Sequence, residues 1–229
     1  MGNIDSHAIG QFILYMVALI FSLSVHESAH AWMSDRFGDD LARMQGRISL
    51  NPAAHVDPIG TLLFPAIAFF TGAPLIGWAK PTPVNPLKWR NKRVANFWVS
   101  AAGAISNFII AFFAGIGLRA LYSFSVVDER FRLVNTDSTI ATGAVQLLVV
   151  FFILNVALGV FNLLPIPPLD GSKVLASILP DSFEAGFEAL EKFGFILLFI
   201  AVFTGVLGVI FNFVMPLAWS LVFIGAFPS

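Results

Sequence analysis

The sequence predicts an all-α polytopic membrane protein with about five or six transmembrane helices, a small membrane-associated β element and a re-entrant segment. Two observations support this prediction. Hydrophobic residues make up 57% of the 229 residues and charged residues only 12%, whereas about 25% of the residues of a soluble domain are charged. The apolar residues are also gathered into several runs close to the ~20 residues that a helix needs to cross a bilayer. Such a chain requires lipid as its solvent.

The apolar runs fill the chain and leave no room for a second domain. They lie at about 9–33, 59–78, 97–122, 142–164 and 193–214, with a short tail at 217–227 that follows Pro216. No Lys or Arg precedes the first run, unlike in a secretory signal peptide, so we expect it to be a permanent membrane helix. Without an internal repeat or a low-complexity linker, residues 1–229 are expected to form a single integral-membrane domain.

Positive charges indicate how the runs are oriented. One basic group follows the first run and another precedes the third, and by the positive-inside rule both prefer the cytoplasm. These groups consist of Arg36, Arg43, Arg47, Lys80, Lys88, Arg90, Lys92 and Arg93. The run 59–78 would then start and end on one side, as a re-entrant hairpin does. If it crosses instead, the basic loop after it lies outside, against the rule.

Two stretches lack a helical pattern and predict the β element. Residues 45–52 alternate briefly and end in Asn-Pro, a turn signal, so we expect a short strand near 47–50. Residues 78–86 contain Pro81, Pro83 and Pro86, which favour an extended chain and confine it to the edge of a sheet.

Charge and cysteine content exclude some classes of function. The formal net charge is −1, so no basic excess points to nucleic acid as a partner. The sequence contains no cysteine, which excludes disulfides and thiolate metal sites. Any metal must be held by nitrogen and oxygen ligands, and the four histidines are the first candidates.

Three ionisable residues, His26, Glu27 and His30, lie together in the first apolar run. Residues four apart share one face of a helix, so His26 and His30 can hold one ion, and neutral imidazoles suit zinc. Zinc lowers the pKa of a bound water to about 7, and Glu27 can take its proton. The alternative is simple packing, but ionisable groups inside a membrane span are costly and by default functional.

Two histidines leave zinc short of ligands, because catalytic zinc usually has three protein ligands and a water. His7 lies too far along the same helix to join them. His55, in the loop after the expected strand, stays open as a ligand. Asp170 is the better candidate, because prolines 165, 167 and 168 must break the fourth helix and leave this carboxylate near the membrane, where it needs a cation. A plain cytoplasmic turn at Pro-Leu-Asp-Gly is the alternative.

The motifs HESAH at 26–30 and NLLPIPPLDG at 162–171 resemble those of the site-2 protease family of intramembrane metalloproteases. The stretches GRISLNPAAHVDPIG and GWAKPTPVNP also resemble its compact bacterial and archaeal members, and the similarity extends over about residues 9–178. The resemblance implies that His26, His30 and Asp170 bind zinc and that Glu27 is the general base.

The resemblance also identifies candidate supporting residues. The Gly-x-x-x-Asn pattern of the family matches Gly103 and Asn107, and the asparagine that opens the proline motif matches Asn162. Asn107, Asn162 and His55 are therefore candidates for contacting substrate or supporting the active site. Small-residue packing and helix capping are the alternatives for the two asparagines.

If the resemblance holds, the chain is a zinc metalloendopeptidase with one Zn²⁺ per chain, and its partners are the lipid bilayer and a single-span membrane protein unwound at the site. It would reside in a prokaryotic plasma membrane with its active site toward the cytoplasm, would not bind nucleic acid, and would lack an inserted PDZ domain and a CBS module. One alternative is a membrane metal-ion transporter that uses the same His and Asp ligands, although this leaves Glu27 and the proline-broken helix unexplained. A catalytically silent scaffold is the other alternative.

Overall fold

The computed structural model describes residues 6–72, 77–134 and 138–223, and within them the chain is helical. The α-helices are α1 Ser6–Arg36, α2 Leu41–Met44, α3 Phe64–Thr71, α4 Lys92–Ser123, α5 Thr139–Asn162, α6 Asp170–Ile178, α7 Glu184–Lys192, α8 Gly194–Phe203 and α9 Val206–Val222. A π-helix, Pro58–Leu63, leads directly into α3.

Three helices, α1, α4 and α5, are long and apolar enough to cross a membrane. A fourth span is reached if α8 and α9 count as one, although they meet at a bend of 69°. The described part of the chain is thus all-helical and of the integral-membrane type, as expected, but it holds three or four spans where five or six were predicted. The break falls at Gly205, whose left-handed φ of 79° caps α9 and is easily adopted by glycine. Pro216 lies inside α9 and does not separate a tail; residues 224–227 of that tail lie outside the described part.

The predicted re-entrant run, 59–78, turns back on itself so that its two ends lie together. Its first half is the helical stretch Pro58–Thr71, too short to be a span. The N–H of Trp78 then donates to the carbonyl of Gly60 at 3.2 Å. A Cβ on Gly60 would lie 2.5 Å from the Trp78 ring, so only glycine allows this approach. Both ends of the run therefore lie side by side, as a hairpin requires; residues 73–76 between them are outside the described part.

The prediction of a β element is wrong, because none of the described residues forms a strand beyond the single bridge between Val127 and Leu133. Around residues 47–50, side chains form hydrogen bonds with backbone N–H and carbonyl groups that pairing with another strand would need. The imidazole of His55 donates to the Ser49 carbonyl at 2.7 Å, and Asn51 caps the N–H of Ala53 at 3.1 Å. Gly46, with φ 68°, turns the chain just before them. The predicted short strand is thus an irregular loop.

The second stretch, 77–85, is extended but has no strand partner. The N–H groups of residues 78, 80 and 82 all bond to the rest of the protein, which is the two-residue period of an extended chain. Their acceptors are the Gly60 and His55 carbonyls and the side chain of Glu27. The extended conformation was predicted correctly, and the sheet was not.

Helix α4 is the centre of the bundle and packs against α1, α5 and α6. Its buried face is made of small residues, which let neighbouring backbones approach closely. These residues include Ala95, Ser100, Ala101, Ala102, Gly103, Ala104, Ala111, Ala114 and Gly115. Because both α1 and α6 touch α4, it brings two distant parts of the sequence together.

Helix α6 is attached to its neighbours at both ends. Helix α5 ends at Asn162, before the three prolines, and α6 starts at Asp170. A Cβ on Gly171 would lie 2.2 Å from the Leu163 carbonyl oxygen, so this end of α6 lies directly against the end of α5. At the other end the guanidinium of Arg93 donates to the carbonyls of Ser177, Ile178 and Leu179 at 2.7, 3.0 and 2.6 Å. Arg93 thereby caps the last turn of α6 from α4.

Candidate metal centre and active site

His26 and His30 lie one turn apart on α1 and face the bundle interior. Their side chains are buried, with residue exposures of 5% and 8%. The two Nε2 atoms are 3.0 Å apart. Two neutral imidazoles can therefore present their lone pairs to one point, as the four-residue spacing predicts.

Asp170, the first residue of α6, completes the group. Its Oδ2 lies 3.2 Å from His26 Nε2 and 3.1 Å from His30 Nε2. Donor atoms of a tetrahedral zinc with bonds of about 2.0–2.2 Å stand roughly 3.3 Å or slightly more apart. The spacing and the N,N,O donor set thus fit a zinc ion with one position left for water. Among the described residues this is the cluster that could hold a metal.

Gly103 of α4 leaves the space in which the donors meet. A Cβ at this position would lie 2.5 Å from the Nε2 atoms of both His26 and His30, which is closer than any real Cβ contact. The small residue of the Gly-x-x-x-Asn pattern therefore does more than bring helices together. It makes room for the donor atoms themselves.

The other ring nitrogen of each histidine is held by a hydrogen bond. His30 Nδ1 donates to the carbonyl of Val99 at 2.6 Å, and His26 Nδ1 faces Oδ1 of Asn107 at 2.7 Å. Such partners orient a metal-binding imidazole and fix its tautomer. Asn107, predicted as a supporting residue, is fully buried and lies in contact with His26.

Glu27 lies beside the cluster and is half-buried. Its carboxylate accepts a hydrogen bond from the backbone N–H of Thr82 at 2.8 Å, and the hydroxyl of Thr82 donates to the Glu27 carbonyl at 2.9 Å. The carboxylate is therefore held by the extended stretch and is not one of the metal donors.

His55 is buried in the loop that supports the extended stretch and lies outside the metal cluster. Its carbonyl accepts from the N–H of Lys80 at 2.8 Å. Burial lowers the pKa of His55 below its ordinary value, although the hydrogen bond to Ser49 opposes this, so the ring is neutral. The guanidinium of Arg47 fastens the same loop, because it donates to the carbonyls of Ala54, Lys80 and Pro81.

Asn162 has no described contact with the metal cluster. Its amide donates to the Leu158 carbonyl of its own helix at 3.0 Å, so its contact with substrate stays a prediction.

Two residues of the site were missed. Thr82 acts through its backbone, for which the sequence carries no signal. Asn155, hydrogen-bonded to Asn107 at 2.8 Å, did carry one, because it is an amide in an otherwise apolar run.

Comparison with known proteins agrees with this geometry. The family model described as Peptidase family M50 matches residues 14–201. The chain is 37% identical over 193 residues to YwhC of Bacillus subtilis, covering 84% of this chain and 81% of YwhC. It is 28% identical over 197 residues to Rip2 of Mycolicibacterium smegmatis, covering 86% and 69% of the two chains. Both names describe candidate zinc metalloproteases. No solved structure matches the chain significantly.

Proposed function

The chain belongs to peptidase family M50, the site-2 protease family of zinc metalloproteases, and from this membership we propose that it hydrolyses peptide bonds within or near the transmembrane segments of membrane proteins. The observation that supports the proposal best is the meeting of His26, His30 and Asp170 beside Glu27. The two histidines and Glu27 lie on a helix apolar enough to cross a membrane.

In this proposal His26, His30 and Asp170 hold one zinc ion, and Glu27 is the general base. Bound zinc supplies Lewis-acid chemistry, which polarises a carbonyl and acidifies water. Glu27 takes a proton from the attacking water and passes it to the nitrogen of the leaving amine. The Thr82 N–H orients the carboxylate for both steps.

A transmembrane substrate must unwind before it can be cut, because the amides of a helix are paired internally. An unwound segment needs new hydrogen-bond partners, and an extended chain can supply them by strand addition. Of the two stretches considered, residues 77–82 are extended and lie against Glu27. We infer that the substrate is held along this stretch and not along residues 47–50. It would lie against the edge opposite the N–H groups of residues 78, 80 and 82, because those groups are already bonded within the protein.

The proposed location is a prokaryotic plasma membrane, with the active site toward the cytoplasm. Arg36, Arg43 and Lys88 lie near the end of α1 that carries His30, and Lys92 starts α4 at the same end. By the positive-inside rule this end faces the cytoplasm.

The proposal is tested with purified protein in proteoliposomes and a single-span model substrate. Glu27→Gln should retain zinc but cut at least about 100-fold more slowly, since a general base contributes about 10²–10⁴-fold. His30→Ala should lose zinc as measured by elemental analysis, and cleavage with it. Normal cleavage by Glu27→Gln would contradict the mechanism. Zinc flux across the vesicles without cleavage would favour a transporter.

A further inference from the structure

We infer that Asn155 is a positioning residue that sets the tautomer of His26 through Asn107, so that the Nε2 lone pair of His26 is directed at the metal position. The inference rests on the proposed role of His26 as a zinc ligand. It concerns a chain of hydrogen bonds that links α5, α4 and α1 inside the bundle. The members are Phe151, Asn155, Asn107 and His26, with Ser22 at the side.

The direction of this chain follows from its first member. The Phe151 carbonyl can only accept a hydrogen bond, and it lies 2.9 Å from one end of the Asn155 amide. That end must be the NH₂ group, whose second proton is donated to Ser22 Oγ at 2.8 Å. The other end of the Asn155 amide is therefore its Oδ1, an acceptor.

The same reasoning continues toward His26. Because Oδ1 of Asn155 accepts, the end of Asn107 that faces it at 2.8 Å must be an NH₂ group. The Oδ1 of Asn107 then faces His26 Nδ1 at 2.7 Å. An amide oxygen only accepts, so Nδ1 must carry the proton. In a neutral imidazole this leaves Nε2 with its lone pair free.

Burial removes the alternatives. Asn107, Asn155 and Ser22 are all fully buried, so water cannot replace a partner if one amide turns over. A reversed Asn107 would place its oxygen against the oxygen of Asn155, which costs one buried hydrogen bond and leaves two acceptors in contact. Its NH₂ group would then face His26 Nδ1, which can accept only in the tautomer whose Nε2 carries the proton and has no lone pair for a metal. His30 needs no such chain, because its Nδ1 donates directly to the Val99 carbonyl. The tautomers of both histidines are thus determined by backbone carbonyls, one directly and one through two asparagines.

The inference is tested on the full chain in detergent with ¹⁵N-labelled histidine. In metal-free wild-type protein at mildly alkaline pH, the His26 resonances should show a protonated Nδ1. Asn155→Leu should give a mixture of tautomers. The zinc dissociation constant should rise by the reciprocal of the fraction that keeps the proton on Nδ1 alone, about twofold for an even mixture and about tenfold if one tenth keeps it. Ser24→Ala is the matched control, because this buried hydroxyl of α1 bonds only to Ile20 of its own helix, and it should change neither quantity.

A rescue variant separates the effect of hydrogen-bond direction from the effect of changed packing at residue 155. In Asn155→Leu with Asn107→Asp, either carboxylate oxygen can accept from His26 Nδ1, so the tautomer and most of the zinc affinity should return. If Asn155→Leu keeps the single tautomer, or if the double variant recovers neither quantity, the inference is overturned. His26→Ala is the reference for the proposed function: if it binds zinc as wild type does, His26 is not a ligand, and the tautomer measurement still decides the role of Asn155.

Discussion

At the scale of single residues, the site depends on a missing side chain as much as on the ones present. Gly103 lies where α4 passes the two imidazoles, and no other residue leaves the donor atoms their place. Gly103→Ala should push the His26 and His30 rings apart. Overpacking of this kind costs about 1–3 kcal/mol, so the zinc dissociation constant should rise roughly 10- to 100-fold.

The measurement is a zinc titration against a competing chelator. Gly143→Ala is the control, because this helical glycine of α5 has open space where its Cβ would be. Equal zinc affinity of Gly103→Ala and the wild type would show that the His26 and His30 rings can accommodate the added methyl group, and would contradict this prediction.

The residues of the site differ in how far the sequence could predict them. The meeting of His26 and His30 is predictable because helical spacing alone decides which side chains share a face, whereas the role of Glu27 as a base stays a prediction. Asp170 could be proposed as a ligand from the prolines that precede it and from the family resemblance. Its distance from the two histidines could not be predicted, since only the packing of α6 on α4 brings it to α1. The contribution of Thr82 could not be predicted, because it depends on where a backbone N–H happens to lie.

At the scale of elements, the extended stretch 77–82 connects Glu27, the proposed base, to the rest of the protein. Thr82→Pro removes the N–H that binds the Glu27 carboxylate, and a hydrogen bond to a charged group is worth about 1.5–3 kcal/mol. The turnover number should therefore fall roughly 10- to 100-fold while zinc content stays at the level of the wild type. Cleavage kinetics and elemental analysis on the same preparation measure both.

Thr82→Val is the comparison, since it keeps the N–H and loses only the hydroxyl bond to the Glu27 carbonyl. We expect it to lose much less activity. A similar loss in both variants would mean that the hydroxyl, or the packing of the side chain, is what matters.

The elements also show why a β element was expected and is not there. Alternation and prolines report that a stretch is not helical, and residues 77–85 are indeed extended. Whether such a stretch has a strand partner depends on what lies beside it. Here Arg47 and the Gly60 and His55 carbonyls occupy its backbone groups, and no local pattern encodes that choice.

At the scale of the whole molecule, hydropathy identified the long spans but overestimated their number. It measures the length of an apolar run and is blind to bends, so the break at Gly205 went unseen. The bend after Thr71 was expected, but from the positions of the basic residues and not from hydropathy. The helical half of the 59–78 run is about 21 Å long at 1.5 Å per residue, against about 30 Å for the hydrocarbon core. We therefore expect Thr71, at the end of this helical half, to lie inside the membrane.

This topology can be tested with single cysteines, because the chain has none of its own. Leu87→Cys should react with a membrane-impermeant maleimide from the cytoplasmic side and Phe124→Cys from the opposite side; both positions are exposed. Thr71→Cys, near the hairpin tip, should react from neither. Labelling of Thr71→Cys from the side that labels Phe124→Cys would instead show that the end of α3 reaches the opposite surface.

The attachment of α6 at both ends limits the routes by which a substrate helix can reach the proposed zinc ligands. Gly171 and Arg93 attach α6 to α5 and α4, so the Asp170 side of the cluster cannot swing open without breaking several contacts. Helix α3, in contrast, contacts α1 through the rings of Phe12, Phe69 and Phe70, and sliding of these rings breaks no hydrogen bond. Admission of a substrate should therefore displace the hairpin sideways in the bilayer, while α6 and Asp170 keep their positions.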